Sequence, residues 1–209
     1  MAESRPLIVG IGGTPNPHSS TARAIATCLR AAQLLGASTL LITGKELLVP
    51  MYDPTSPERT EEARHLVDAL RRADGIVIGS PAYHGSISGL VKNALDYTED
   101  LRADTRCYFD GLAIGCVACA GGWQAAGQTL SALRSIAHAL RGWPTPLGVM
   151  LNTTNKIFDE AGDCTDLAVK FQLETVGRQV VQFAKDRRVN GALEDGTAAM
   201  SRVMAAQLD

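Results

Sequence analysis

The chain contains no apolar run approaching the roughly 20 residues that cross a membrane. It also lacks an excess of one charge: 20 Lys and Arg stand against 22 Asp and Glu, a formal net charge of -2. That balance gives no electrostatic reason to expect a nucleic acid or an anionic membrane surface as partner. The strong acidity expected of a small electron carrier is missing as well. The opening residues, Met1-Ala-Glu-Ser-Arg-Pro6, show no basic stretch followed by a long apolar one. No secretory leader is therefore expected, and the cytoplasm is the expected compartment. Cysteine is sparse: five residues, an odd number without framework spacing, which fits a reducing compartment.

Several chemical constellations are absent too. Cys116-Val-Ala-Cys119 spells C-x-x-C, but a redox pair would open a helix, whose dipole lowers the thiol pKa. This pair lies within the apolar run Leu112–Cys119, which reads as a strand. Positions i and i+3 of a strand point to opposite faces. No second C-x-x-C and no nearby His completes a zinc set. The pair therefore reads as core thiols. No Ser/His/Asp set and no paired carboxylates stand out, and His65 and His138 fall on predicted helices as surface or packing residues. Neither a catalytic side chain nor a metal ligand is expected. The Gly10-x-Gly12 sequence meets Pro15 where a dinucleotide fingerprint needs its third glycine, and no Gly-Lys-Ser/Thr follows.

What is present is an ordinary globular composition, 45% hydrophobic and 20% charged. The length suits one domain, expected over residues 1–188, followed by a tail over 189–209 with a short helix near Ala198–Ala206. Five short apolar runs occur: Leu7–Ile11, Thr39–Ile42, Ile76–Gly79, Leu112–Cys119 and Leu147–Met150. They are continuous rather than alternating, as in parallel strands covered on both faces. Helical patterns separate them, at about Ser20–Leu35, Arg59–Arg72, from Ile87, about Gln124–Arg141, and around Val169–Phe183. Alternating βα units imply an α/β fold with right-handed crossovers. Five such strands most simply form a parallel sheet of order 2-1-3-4-5. A polar excursion, residues 152–166, separates the last strand from the last helix.

Three loops leave the carboxyl ends of strands one, three and four, around the switch point where open α/β sheets bind ligands. The first, Gly12–Thr21, carries hydroxyls at Thr14, Ser19, Ser20 and Thr21 beside a helix N-terminus. It can hold a phosphate, or Ser19 or Ser20 can simply cap the helix. The second, Pro81-Ala-Tyr-His-Gly-Ser86, offers Tyr83 as a stacking wall and Gly85 as a point of close backbone approach. The third, Cys119-Ala-Gly-Gly-Trp-Gln124, places Gly121 and Gly122 between a strand and a helix. Trp123 has three possible roles there: covering a ligand, filling the core or meeting a neighbouring subunit.

The string Pro81-Ala-Tyr-His-Gly-Ser-Ile-Ser-Gly-Leu-Val-Lys-Asn-Ala-Leu-Asp96 closely resembles the ring-side loop and helix of the NAD(P)H-dependent FMN reductase family. The resemblance spans roughly residues 7–188 and implies a flavodoxin-like three-layer sandwich. In that family the first loop runs Gly-Ser/Thr-x-x-x-x-Ser-x-Thr and holds the FMN phosphate; Gly13, Thr14, Ser19 and Thr21 match it, with His18 and Ser20 nearby. Many members carry an Arg soon after the glycine, where this chain has Pro15, Asn16 and Pro17. The implied flavin contacts are Thr14, His18, Ser19, Ser20 and Thr21 at the phosphate, Pro81, Ala82, Tyr83, His84, Gly85 and Ser86 at the ring, and Gly121 and Gly122 at its pyrimidine end. The implied activity is hydride transfer from NADPH or NADH to FMN, with reduced flavin supplied to a partner flavin-dependent monooxygenase. The rival readings are a quinone, azo or chromate reductase with permanently held FMN, an electron carrier, and a non-flavin α/β protein binding another phosphorylated ligand, which the 81–96 string argues against. The resemblance also implies a homodimer or homotetramer, with the apolar stripe Ile87–Leu95 as a candidate contact.

Overall fold

A computed structural model describes residues 5–205 of the chain, with side chains described as far as residue 189. The expected apolar runs become β1 (Leu7–Gly12), β2 (Ser38–Thr43), β3 (Gly75–Tyr83), β5 (Ala113–Ala120) and β7 (Val149–Asn152), and two short strands, β4 (Ser86–Ile87) and β6 (Trp143–Pro144), join them. The main sheet is parallel. Strand β1 lies between β2 and β3, and β3 pairs on its far side with β5. Beyond β5 the outer rank is shared: β6 pairs with its first residues and β7 with its last. The five expected strands therefore lie in the order 2-1-3-4-5. Strand β4 folds back antiparallel onto the end of β3.

Five helices cover the sheet: α1 (Ser20–Leu34), α2 (Glu61–Arg72), α3 (Gly89–Asp96), α4 (Trp123–Ala139) and α5 (Leu167–Ala205). Successive strand residues face opposite sides, and the core divides accordingly. Ile8, Val77, Val117 and Val149 pack with Ile25, Cys28, Leu173, Val176 and Val180 of α1 and α5. Val9, Ile11, Ile76, Ile78 and Ile114 pack with Leu66, Leu70, Val91, Leu95 and Leu133 of α2, α3 and α4. This is the three-layer sandwich. Each such side chain contributes on the order of 1.5–3 kcal/mol by leaving water. Helices α1 and α5 cross closely enough that a Cβ on Gly177 would lie 2.1 Å from the Cys28 carbonyl oxygen.

The last helix departs from the expected pattern. It runs unbroken from Leu167 to Ala205, through the boundary placed after residue 188. Gly191 and Gly196 each cost a helix about 1 kcal/mol and do not end it. The expected short helix near Ala198–Ala206 falls within α5, except for Ala206, which lies outside the described residues. None of the described helices is long and apolar enough to cross a membrane.

The connection from β2 to α2 is tied down from α3. Asn93 is 5% exposed. Its Nδ2 donates to the carbonyls of Val49 and Pro50, and its Oδ1 accepts from Tyr52 N at 2.9 Å. The Tyr97 hydroxyl also donates to the Pro50 carbonyl. Arg59 grips Asp100 with two bonds of 2.7 and 2.8 Å and lies over the rings of Tyr52 and Tyr97. The Lys-Asn-Ala-Leu-Asp half of the distinctive string is thus a structural anchor. The apolar stripe of α3 is also committed, because Val91, Ala94 and Leu95 are buried in the chain's own core.

Candidate functional site

The three loops emerge at the carboxyl edge of neighbouring strands β1, β3 and β5. Gly12 and Gly13 open the first and are both buried. Gly12 has φ +135°, and a Cβ on it would sit 1.8 Å from the Gly79 carbonyl oxygen. A Cβ on Gly13 would meet Thr43 Oγ1 at 2.6 Å, and Thr43 Oγ1 itself donates to the Gly12 carbonyl. The chain can therefore pass between β2, β3 and α1 only as backbone. Beyond it, Asn16 N donates to Thr14 Oγ1, His18 N to Asn16 Oδ1 and Ser19 N to the Asn16 carbonyl.

Ser19 caps α1, its Oγ accepting from Ala22 N at 3.3 Å. Thr21 is buried; its methyl packs under Gly79 and its side chain lies beside the Cys119 thiol, so it faces the core rather than the outer rim. Ser20 is half-buried and His18 exposed. Among the described residues, the backbone N–H groups of Thr14, Ser20 and Thr21 have no acceptor. Three free donors at the positive end of a 15-residue helix can receive an oxyanion.

The second loop is tighter than a loop. His84 and Gly85 have φ of 51° and 87°, the two left-handed residues of a two-residue hairpin. Ala82 pairs with Ile87 and Tyr83 with Ser86. Ser80 is fully buried; its Oγ accepts from Ser88 N at 2.9 Å and donates to the Pro81 carbonyl. Pro81 is buried and Ala82 half-buried, while Tyr83, His84, Gly85 and Ser86 form the exposed tip. Helix α4 supports that tip, with Thr129 Oγ1 donating to the Ser86 carbonyl.

The third loop is open. A Cβ on Gly121 or Gly122 would find nothing within 4 Å. Gly122 begins α4 with no side-chain cap, so the first N–H groups of this 17-residue helix face outward. Trp123 is 58% exposed and therefore not a core residue. One edge thus offers an oxyanion cradle, an aromatic-tipped hairpin and an uncapped helix end, which together suit a flat polar ring system bearing a phosphate.

Two neighbours of this edge escaped the sequence reading. Residues 153–156 form a fourth loop: Thr153 N donates to the Ala120 carbonyl, and Asn152 Oδ1 accepts from the Thr154 N–H and hydroxyl. The second is Arg23. Its guanidinium lies 3.4 Å from His18 Nδ1 and donates to the Asp159 carbonyl at 3.0 Å. Arg23 sits one helical turn after Ser19, and that spacing was the available signal. The two C-x-x-C cysteines lie in opposite core layers, Cys116 toward α4 and Cys119 toward α1. Burial pushes each thiol up to about 12. No group of potential metal ligands occurs among the described residues.

A cleft of about 190 Å³ lies at the opposite edge, between Asp74, Arg106, Arg187 and Arg188. Arg188 pairs there with Asp74, and Arg106 donates to the last carbonyls of α2. It is remote from the three loops.

A family model described as NADPH-dependent FMN reductase matches residues 6–156. An FMN-dependent NADPH-azoreductase of Staphylococcus aureus is 32% identical over 135 residues, which are 64% of this chain and 68% of that protein. An oxidoreductase structure from Corynebacterium diphtheriae superposes with a TM-score of 0.67 at 21% identity, covering 88% of this chain and 99% of that one. The apo form of an NADH:FMN oxidoreductase gives 0.61 at 21% identity, covering 87% and 89%. At these identities the two structures speak for the flavodoxin-like fold alone.

Proposed function

Because the chain belongs to the NADPH-dependent FMN reductase family, we propose that FMN lies across the three loops of this edge. Its phosphate sits at Thr14, His18, Ser19 and Ser20, its ring against Pro81–Ser86, and its pyrimidine end toward Gly121 and Gly122. Thr21 contributes its backbone N–H. FMN, when bound there, would supply the hydride- and electron-transfer chemistry, with NADPH or NADH as the hydride donor. The chain's own residues bind and orient. Tyr83, 53% exposed at the hairpin tip, offers its face to the ring. The uncapped end of α4 directs N–H groups at the electron-rich pyrimidine carbonyls.

The observation that carries this reading is the set of three acceptor-free N–H groups at Thr14, Ser20 and Thr21, in the loop and first turn of α1 that follow β1, the strand beside the one that carries the hairpin. Titration of flavin fluorescence tests it. FMN should bind more tightly than riboflavin, and the loaded protein should oxidise NADPH or NADH. Equal affinity for the two flavins would remove the first loop from the site.

The finer proposal is that FMN exchanges as a substrate and reduced flavin passes to a flavin-dependent monooxygenase. The open rim at Gly121 and Gly122 supports exchange. A second reading, retained FMN reducing azo compounds or quinones in place, is favoured by the azoreductase relative and by the cation at Arg23. Gel filtration of FMN-loaded protein separates them. Exchange predicts apoprotein whose NADPH oxidation depends on added FMN. Retention predicts co-eluting flavin and dependence on an added acceptor. We further propose a cytoplasmic enzyme, on the strength of five unpaired thiols, and a homodimer or homotetramer whose contact includes the exposed Trp123 and Tyr83.

A further inference from the structure

We propose that Arg23, outside the loop itself, is the cation that makes this site select phosphorylated flavin; the inference rests on the FMN site proposed above. The first loop has no Lys or Arg, since Pro15, Asn16 and Pro17 occupy its start. Arg23 reaches it from the second turn of α1. It is half-buried, and its two partners, the His18 imidazole and the Asp159 carbonyl, are acceptors that carry no formal negative charge as hydrogen-bonded.

Carboxylates are close but engaged elsewhere. Asp159 Oδ1 accepts from Asp163 N, and Asp163 pairs with Arg30. Arg23 forms no ion pair among the described residues. Its position also opposes the helix dipole: a cation near the N-terminus meets the positive end of α1, where an acidic residue is favoured and none is present. Guanidinium, helix end and three acceptor-free N–H groups thus gather positive potential, and among the described residues no carboxylate pairs directly with Arg23. A phosphate dianion in the loop would supply the balance. The fork geometry of Arg23 then allows a charge-assisted bond to a phosphate oxygen, while the Asp159 carbonyl keeps the side chain oriented. His18, held by its own N–H to Asn16, orients the same guanidinium from the loop side.

The test is the dissociation constants of FMN and riboflavin, measured by fluorescence quenching for the natural protein and for Arg23→Ala, Arg23→Lys and His18→Ala. In Arg23→Ala, FMN binding should weaken about tenfold or more, as for loss of one charge-assisted hydrogen bond, with riboflavin unchanged. Arg23→Lys should recover part of the preference, through charge without the fork. His18→Ala should weaken FMN less than Arg23→Ala. If both flavins weaken together in Arg23→Ala, with a lowered melting temperature, Arg23 is only a latch for residues 157–164 and the proposal is overturned. An unchanged ratio of the two constants overturns it as well. If the natural protein itself fails to prefer FMN, the loop reading falls first, and that result is distinct from either of the others.

Discussion

Gly12 and Gly121 lie at the same edge and respond oppositely to one added methyl. A Cβ on Gly12 would press 1.8 Å from the Gly79 oxygen at a φ of +135°. Gly12→Ala should therefore separate β1 from β3 and destabilise by more than about 4 kcal/mol, or prevent folding, as read by urea denaturation. Gly121→Ala has open space and should change stability by less than about 0.5 kcal/mol, while weakening FMN by crowding the ring's pyrimidine end. The buried thiols set a pH dependence. Burial raises Cys116 and Cys119 from 9.0 to about 12. The folded chain thus keeps these protons while the unfolded chain releases them. The stabilisation is complete below about pH 9 and is lost as pH rises through about 12, with a slope of up to about 1.4 kcal/mol per pH unit for each thiol. Urea midpoints measured from neutral pH upward should fall, and Cys119→Ala should flatten the decline.

Helix caps separate folding from binding. Ser19 Oγ accepts from Ala22 N at 3.3 Å, and Thr60 Oγ1 accepts from Ala63 N at 3.2 Å. Either Ser19→Ala or Thr60→Ala should cost about 1 kcal/mol of stability. Only Ser19→Ala should also narrow the FMN-over-riboflavin preference, because α2 starts away from the three loops. If Thr60→Ala narrows it equally, the effect is global loosening and the loop loses its special role. Helix α3 makes a different contribution. Asn93→Ala would strip Tyr52 N and the Val49 carbonyl of their partner, at about 1–3 kcal/mol for each buried group left unpaired. Thermal melting should show that loss, with Tyr52 fluorescence reporting detachment of the β2–α2 connection.

Assembly concerns the chain as a unit. The stripe Ile87–Leu95 supplied the first reason to expect it, and most of that stripe packs inward. The exposed aromatic residues Tyr83 and Trp123 are the better reason, since both border the edge proposed to hold flavin. Sedimentation equilibrium should give a multiple of 22.1 kDa at working concentration. Trp123→Ala should shift it toward monomer. A monomer in the natural protein would leave Trp123 as a cover for the ring.

The sequence by itself determined the sheet and its order. Continuous apolar runs fix strands buried on both faces, and right-handed crossovers leave few ways to order them. It also located the three loops, because glycine, proline and hydroxyl residues at strand ends have local causes. It did not reveal that the second loop is a hairpin, since His84 in a left-handed conformation carries weak local preference. Nor did it separate the two halves of the Pro81–Asp96 string, one at the carboxyl edge of the sheet and one holding residues 49–52. Those roles depend on Asn93 meeting Val49 and Pro50, more than forty positions away in the chain. The continuation of α5 past residue 188 had no clear local signal, because the segment after 188 lacks a strong apolar stripe. Arg23 is the clearest case. Its residue type and helix position were legible, but its charge has meaning only where His18 and the Asp159 carbonyl converge on it. That convergence joins positions 136 apart in the chain, which only the folded structure brings together.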